Sequence, residues 1–146
     1  MSMSNSSETS LLALLFNNTA WANIGNAGGL QPSSVAGNLY IRLHTEDPGE
    51  GGTGDTNEVA YTGYAPVAVA RSAGGFTVSG AQVSNAATVQ FGECTAGSAT
   101  ATHFSVCAGS GAGAAIIYSG SLSASRAISA GITPLFNPGA LVGTIG

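Results

Sequence analysis

Side chains able to do acid–base, nucleophilic or metal chemistry are few in this chain. His44 and His103 are the only histidines, Cys94 and Cys107 the only cysteines, and there is no lysine. A Ser-His-Asp set can be assembled on paper from the many serines with Asp47 or Asp55. No G-x-S-x-G elbow exists to localise a nucleophile. Both histidines fall on candidate strands beside apolar residues, the setting of a packed or hydrogen-bonded strand histidine. Two Cys and two His would suffice for zinc by count, but Cys-x2-Cys and His-x3-His spacings are absent. A turn at Gly97-Ser98 would set Cys94 opposite Ala101 rather than Cys107, so two buried free thiols are expected. No catalytic residue, cofactor site or metal ligand is assigned.

The acids are concentrated. Glu46, Asp47, Glu50, Asp55 and Glu58 share one stretch with Gly49, Gly51, Gly52 and Gly54. Gly49, Gly51 and Gly54 formally match G-x-G-x-x-G, but no helix follows and the carboxylates would repel a pyrophosphate. Asp55 and Asn57 have calcium-ligand spacing without the rest of an EF-hand loop. The stretch reads as a flexible, solvated hairpin loop, with partner binding and metal binding as the alternatives. Gly109 to Gly113 leads into a strand rather than a helix and reads as a hairpin connection. Glu93 stands alone, so no carboxylate pair for glycoside hydrolysis is recognisable.

Composition excludes further functions. Charged residues are 7% of the 146, against about 25% in an ordinary domain. Without lysine there is no Schiff base or phosphate clamp, and Arg42, Arg71 and Arg126 are too few to follow a nucleic-acid backbone. The net charge of −4 also argues against nucleic acid and anionic membrane as partners. No apolar run reaches the roughly 18 residues of a membrane span. Leu11 to Phe16 follows Glu8 and lacks a basic leader, so a secretory signal is not expected and the cysteines should stay reduced. The glycosylation matches at Asn5 and Asn17 are then discounted.

The elements that must position these residues are mostly strands. Residues 5–17 are the best helix, with Asn5 and Glu8 at capping-box spacing and Asn17-Asn18 as the stop. Leu11, Leu14 and Leu15 form one face, with Leu12 and Phe16 beside it. The helix either plugs one end of the fold or docks a neighbour with its second apolar face. Trp21 and Ile24 form an apolar foot before a loop from Gly25 to Gly37. From residue 38 the period is two. Strands are expected at Leu39–His44, Val67–Ala70, Phe76–Val78, Val83, Thr88–Phe91, Thr102–Cys107, Ala115–Ser119, Leu122–Ile128 and Leu135–Ile145. Turn signals recur every 8–12 residues or so, among them Ser79-Gly80, Ser119-Gly120 and Asn137-Pro138-Gly139. The expected fold is one mainly β domain over 1–146, an antiparallel β-sandwich or jelly roll, with residues 1–37 as a short N-terminal α-helix and loop and 38–146 as strands.

Several stretches carry a resemblance. They are Leu15-Phe16-Asn17-Asn18-Thr19, Gly37-Asn38-Leu39-Tyr40-Ile41-Arg42-Leu43-His44-Thr45 with its acidic Asp-Pro-Gly loop, and Asn57-Glu58-Val59-Ala60-Tyr61-Thr62-Gly63-Tyr64. Val67-Ala68-Val69-Ala70-Arg71 and Ala99-Thr100-Ala101-Thr102-His103-Phe104-Ser105 complete the set. Together, from about Leu11 to the C-terminus, the chain resembles small tail-fibre-like virion proteins of short-tailed bacteriophages. Pro66 stands where that family tends to carry Arg, and a proline there points to an edge strand or bulge. The resemblance implies a β-sandwich that assembles as dimers into a chain-like fibre, held by other virion structural proteins, with no catalytic residues.

The expected role is therefore a virion structural protein, a tail-fibre or appendage subunit, assembled in the bacterial host cytoplasm and lacking enzymatic activity. A capsid decoration (cement) protein and a host-glycan-binding module are the alternatives. The candidate assembly contacts are Leu12, Phe16 and Trp21 in the N-terminal segment with Arg42, Tyr61, Tyr64 and Arg71 on and near the strands. Tyr61 and Tyr64 suit either interface contact or the edge of the core. With so few charges, self-association should run on Ala, Ser, Thr and strand-edge contacts and depend little on salt.

Overall fold

A computed structural model describes all residues, 1–146. One helix, α1 (Asn5–Asn17), precedes nine strands: β1 (Asn38–His44), β2 (Val67–Ala70), β3 (Phe76–Ser79), β4 (Gln82–Asn85), β5 (Val89–Gln90), β6 (Ser98–Cys107), β7 (Ile116–Ser129), β8 (Leu135–Phe136) and β9 (Val142–Thr144). The fold is mainly β with antiparallel sheets, and the short helix is N-terminal, as the sequence predicts. The chain divides into two compact units. Unit 1 comprises Met1–Asn38, Ala70–Ala87 and Pro138–Gly146, and unit 2 comprises Leu39–Val69 and Thr88–Asn137.

Unit 1 is a three-stranded sheet, order β3-β4-β9, with α1 packed against β3 and β4. The N-cap is Ser4, whose hydroxyl accepts from the Ser7 N–H, one residue earlier than the capping-box spacing predicts. The apolar face also differs from expectation. Glu8, Leu12 and Phe16 are buried, while Leu11, Leu14 and Leu15 are only half-buried. Spacing of four aligns the first three along one row of the helix, and the sheet takes that row. Phe16 meets Phe76 edge to face at 5.2 Å. Asn18 ends the helix in the left-handed region, φ 53°. Its side-chain amide then holds Ser33 by both N–H and C=O, tying down the following loop. Within that loop Trp21 and Leu30 exchange both main-chain bonds, so the expected foot is one arm of a small hairpin. Asn85, 2% exposed, accepts from the Leu141 N–H and donates to Ala87 O, fixing the return to β9.

Unit 2 is built on a four-stranded sheet, order β2-β1-β6-β7, with a small β5-β8 pair. β1 lies between two strands and is buried at five of its seven residues. Ile41, Leu43, Phe104 and Val106 line one face, where Phe104 meets Tyr118 at 5.8 Å. Tyr61, Tyr64, Phe91 and Phe136 form a chain of ring contacts 5.4 to 6.1 Å apart. Val67 follows Pro66, so β2 starts just after the proline and forms an edge. Several boundaries depart from expectation. The strand expected over Leu135–Ile145 is two short strands, β8 and β9, in different sheets. β7 runs unbroken through Ser119-Gly120, where a turn is predicted, because both residues pair with β6. The Gly97-Ser98 turn also does not form a hairpin: Ser98 starts β6 opposite Ser129, and Cys94 bonds to Ile132 and Gly131 instead.

Candidate functional site: a buried polar clamp and an open sheet edge

Period-two alternation sends Arg42 and His44 to the opposite face of β1 from Ile41 and Leu43. There they meet Ser105 and Cys107 of β6. A loop covers this face. It leaves β1 at Thr45 and returns at Asn57–Val59, with Thr45 N–H bonding Asn57 O and Val59 N–H bonding Leu43 O. The acidic stretch is thus the hairpin expected, but its root is fixed.

Arg42, 3% exposed, organises the clamp. It donates to Glu58 Oε2 at 2.8 Å and, through its other terminal nitrogen, to Ser110 O and Gly111 O, each at 2.8 Å. Its Nε is buried without a hydrogen-bond partner. Tyr64 donates its hydroxyl to Glu58 Oε1 at 2.7 Å and accepts from the Leu43 N–H. Burial pushes the Tyr64 hydroxyl far above its ordinary range. Gly54 lies directly over the guanidinium. A Cβ there would sit 2.7 Å from Arg42 Nε. The two glycine-rich loops are joined a second time by Asp55, whose carboxylate accepts from the Thr53 hydroxyl and the Gly113 N–H. Those bonds, the Thr53 hydroxyl first, lower the Asp55 pKa.

His44 has no exposed surface. Its Nδ1 lies 2.8 Å from Thr56 O and its Nε2 2.7 Å from Ser105 Oγ. A carbonyl only accepts, so Nδ1 carries the proton and Nε2 accepts from the serine. Burial lowers the His44 pKa, opposed in part by the Thr56 bond. Cys107, 3.3 Å from Ser105 Oγ, has its thiol pKa raised by burial. A serine and an imidazole in contact form the first half of a nucleophilic pair. Ser105 and His44 are both 0% exposed, so a substrate would meet neither without loss of the covering loop. His103 is half-buried beside the Thr102 hydroxyl. Both cysteines are free and buried, as expected.

The candidate assembly contacts fall in several places. Leu12 (5% exposed), Phe16 (1%), Arg42 (3%) and Tyr61 (7%) have almost all their surface covered within the protomer. Tyr61 donates to Gly92 O and stacks edgewise on Tyr64. Trp21, Tyr64 and Arg71 are half-buried. Arg71 belongs to unit 1, where it donates to Leu14 O and Leu15 O at 2.6 Å and to the Ser33 hydroxyl. It is a helix C-terminal cap, a cation placed on carbonyls with no intrahelical partner. Arg42 and Tyr64 meet at Glu58, with Tyr61 against the Tyr64 ring, and Leu12 and Phe16 share the buried row of α1. Glu58 and Ser105 were missed as clamp members. The His44–Ser105 pairing depends on strand register, which no local pattern reveals; Glu58 stands 16 residues beyond Arg42, across the loop.

The feature facing solvent is different in kind. β7 is the last strand of its sheet and pairs only with β6. It runs 14 residues with one charged residue, Arg126, and no proline. The strand thus combines low charge, mostly small side chains and one edge without a strand partner. The chain matches the family model described as podophage GP4 fiber I protein gp80 over residues 2–144. It belongs to that family. The gp80 match spans both units, so the clamp and the open edge both lie inside the family's extent. The chain is therefore a podophage fibre protein, a structural component of the virion. No curated protein matches it. No helix is long and apolar enough to cross a membrane.

Proposed function

We propose that this chain is the repeating bead of a chain-like tail fibre, built from dimers, assembled in the host cytoplasm and held to the particle by other virion structural proteins. The observation that carries this reading is the match to a fibre family along nearly the whole chain. A single bead of this size reaches a fibre's length only in many copies. The role is structural and involves no catalytic step or cofactor. The burial of His44 and Ser105 supports this, since the one serine–histidine contact is sealed under the clamp. The test is electron microscopy of the parent particle with a tag on this chain. Label along a thin appendage at the tail is the expected result; label spread over the capsid and absent from the tail would transfer the protein to the decoration class.

A further inference from the structure

We infer that the covering loop, residues 45–58, is a lid released by acid: protonation of His44 opens it while the four-stranded sheet of unit 2 stays formed, and the opening uncovers Ser105 and Cys107. This stands independently of the fibre reading and concerns the clamp alone.

The loop is held by polar ties rather than by apolar burial. Of residues 45–57 only Pro48 and Gly54 are buried. Beyond the root, Thr56 O takes the His44 Nδ1 proton, and Glu58 takes Arg42 and Tyr64. Further out, Asp55 takes the Gly113 N–H, and the Gly54 N–H bonds Ala114 O. None of these bonds belongs to the ladders that join β2, β1, β6 and β7. The last two end on the connection between β6 and β7, where no residue from 108 to 115 is buried. Segments with so few buried apolar contacts open at the low end of a protein's range of local stabilities. The loop can therefore lift without breaking the sheet beneath it.

His44 is the group that a proton would turn against the closed state. Neutral, it fits: Nδ1 donates to Thr56 O and Nε2 accepts from Ser105 Oγ. A second ring proton makes Nε2 a donor as well. The Ser105 hydroxyl must then turn its own hydrogen toward the Cys107 sulfur, a weak acceptor 3.3 Å away. The new cation also shares a face of β1 with Arg42, two residues back. Glu58 is the one carboxylate in the clamp, and both its oxygens are already taken, by Arg42 and by Tyr64. The charged imidazole thus has no carboxylate of its own, in a place closed to water. Burial is the largest influence on its pKa and lowers it; the Thr56 carbonyl and Glu58 raise it, and Arg42 and His103 lower it. Cys107, beyond Ser105, has its thiol pKa raised by burial and adds no charge. Opening returns the ring to water and removes the conflict. Acid also works against the far tie, since the Asp55 pKa is lowered by the Thr53 hydroxyl and the Gly113 N–H.

Hydrogen exchange of the purified full chain, followed by NMR, reads the opening at the Gly54 and Gly113 amides. The open state, with an ordinary histidine pKa of 6.5, takes up the proton before the closed state does. Lowering the pH from about 7.5 to about 5.5 then raises the open population by up to about tenfold. Protection at both amides, corrected for intrinsic rate, should fall by about fivefold to tenfold. It should change little in low urea, because so small an opening exposes little surface. Ladder amides of β6 should exchange more slowly and respond steeply to urea. His44→Gln, which cannot titrate, should remove the pH effect at Gly54 and Gly113. If that variant folds poorly, Cys107 gives a second reading. In a Cys94→Ala chain its reaction with 4,4′-dithiodipyridine, relative to glutathione at the same pH, should quicken by the same factor. Protection and thiol reactivity that stay constant between the two pH values overturn the lid, as does a fall that persists in His44→Gln. Loop amides that follow urea as steeply as those of β6 also overturn it, since the loop then opens only when the sheet does.

Discussion

β1 and β7 belong to one sheet and are treated in opposite ways. β1 has strands on both sides, an apolar core on one face and a polar clamp on the other. β7 has one neighbour, and residues Ser123 to Ala127 are all exposed. The scarce charge follows the difference. Arg42 and Glu58 are placed where hydrogen bonds must be satisfied out of water; the long edge strand carries only Arg126, which lies over the Phe136 ring at 5.7 Å. The charge in β1 fixes the fold, whereas the first part of β7, residues 116–125, carries none.

Substitutions can break that contrast, and their expected effects are unequal. Arg42→Ala should be the most severe. It leaves Glu58 half-buried without its partner and strips Ser110 O and Gly111 O of their donor, a loss of about 3–5 kcal/mol, read by urea unfolding. Gly54→Ala should follow, at about 1–3 kcal/mol, because the new methyl must displace the guanidinium. Tyr64→Phe leaves the Leu43 N–H and one Glu58 oxygen unmatched, again about 1–3 kcal/mol in the same assay. Next is the pH effect of His44. Its folded pKa lies below the ordinary 6.5, so the unfolded chain takes up the proton first. Stability is complete above about pH 6.5 and falls as pH drops through that value toward the folded pKa. Urea midpoints at pH 7.5 and 5.5 should show the loss, and His44→Gln should flatten it. At the other end, Ser123→Ala on β7 should stay within about 0.5 kcal/mol of wild type. A cost comparable to Arg42→Ala would show that β7 is not the free element described.

Much of the architecture was legible in the sequence because alternation and turn chemistry are local. Leu39, Ile41 and Leu43 against Tyr40, Arg42 and His44 announce β1, and Asn137-Pro138-Gly139 separates β8 from β9. The errors fall where a partner decides. Ser119-Gly120 resembles a turn, yet β6 holds both residues extended. Leu11, Leu14 and Leu15 form a fair helix face, but the sheet of unit 1 receives Leu12 and Phe16. The clamp was legible only as ingredients. Arg42, Tyr61 and Tyr64 stood out together with Arg71, as assembly contacts; Arg71 lies instead on the carbonyls of α1, and the positions of Glu58 and Ser105 depend on a loop closure and a register set by the whole sheet.

The housing of the arginines also bears on cleavage by trypsin. Trypsin cuts after lysine and arginine, and this chain offers it three bonds in all. Arg42 is sealed under its loop, and Arg71 is held by the carbonyls of α1. The folded protein therefore presents one such bond with its arginine in the open, between Arg126 and Ala127. The folded chain thus offers that enzyme a single exposed arginine.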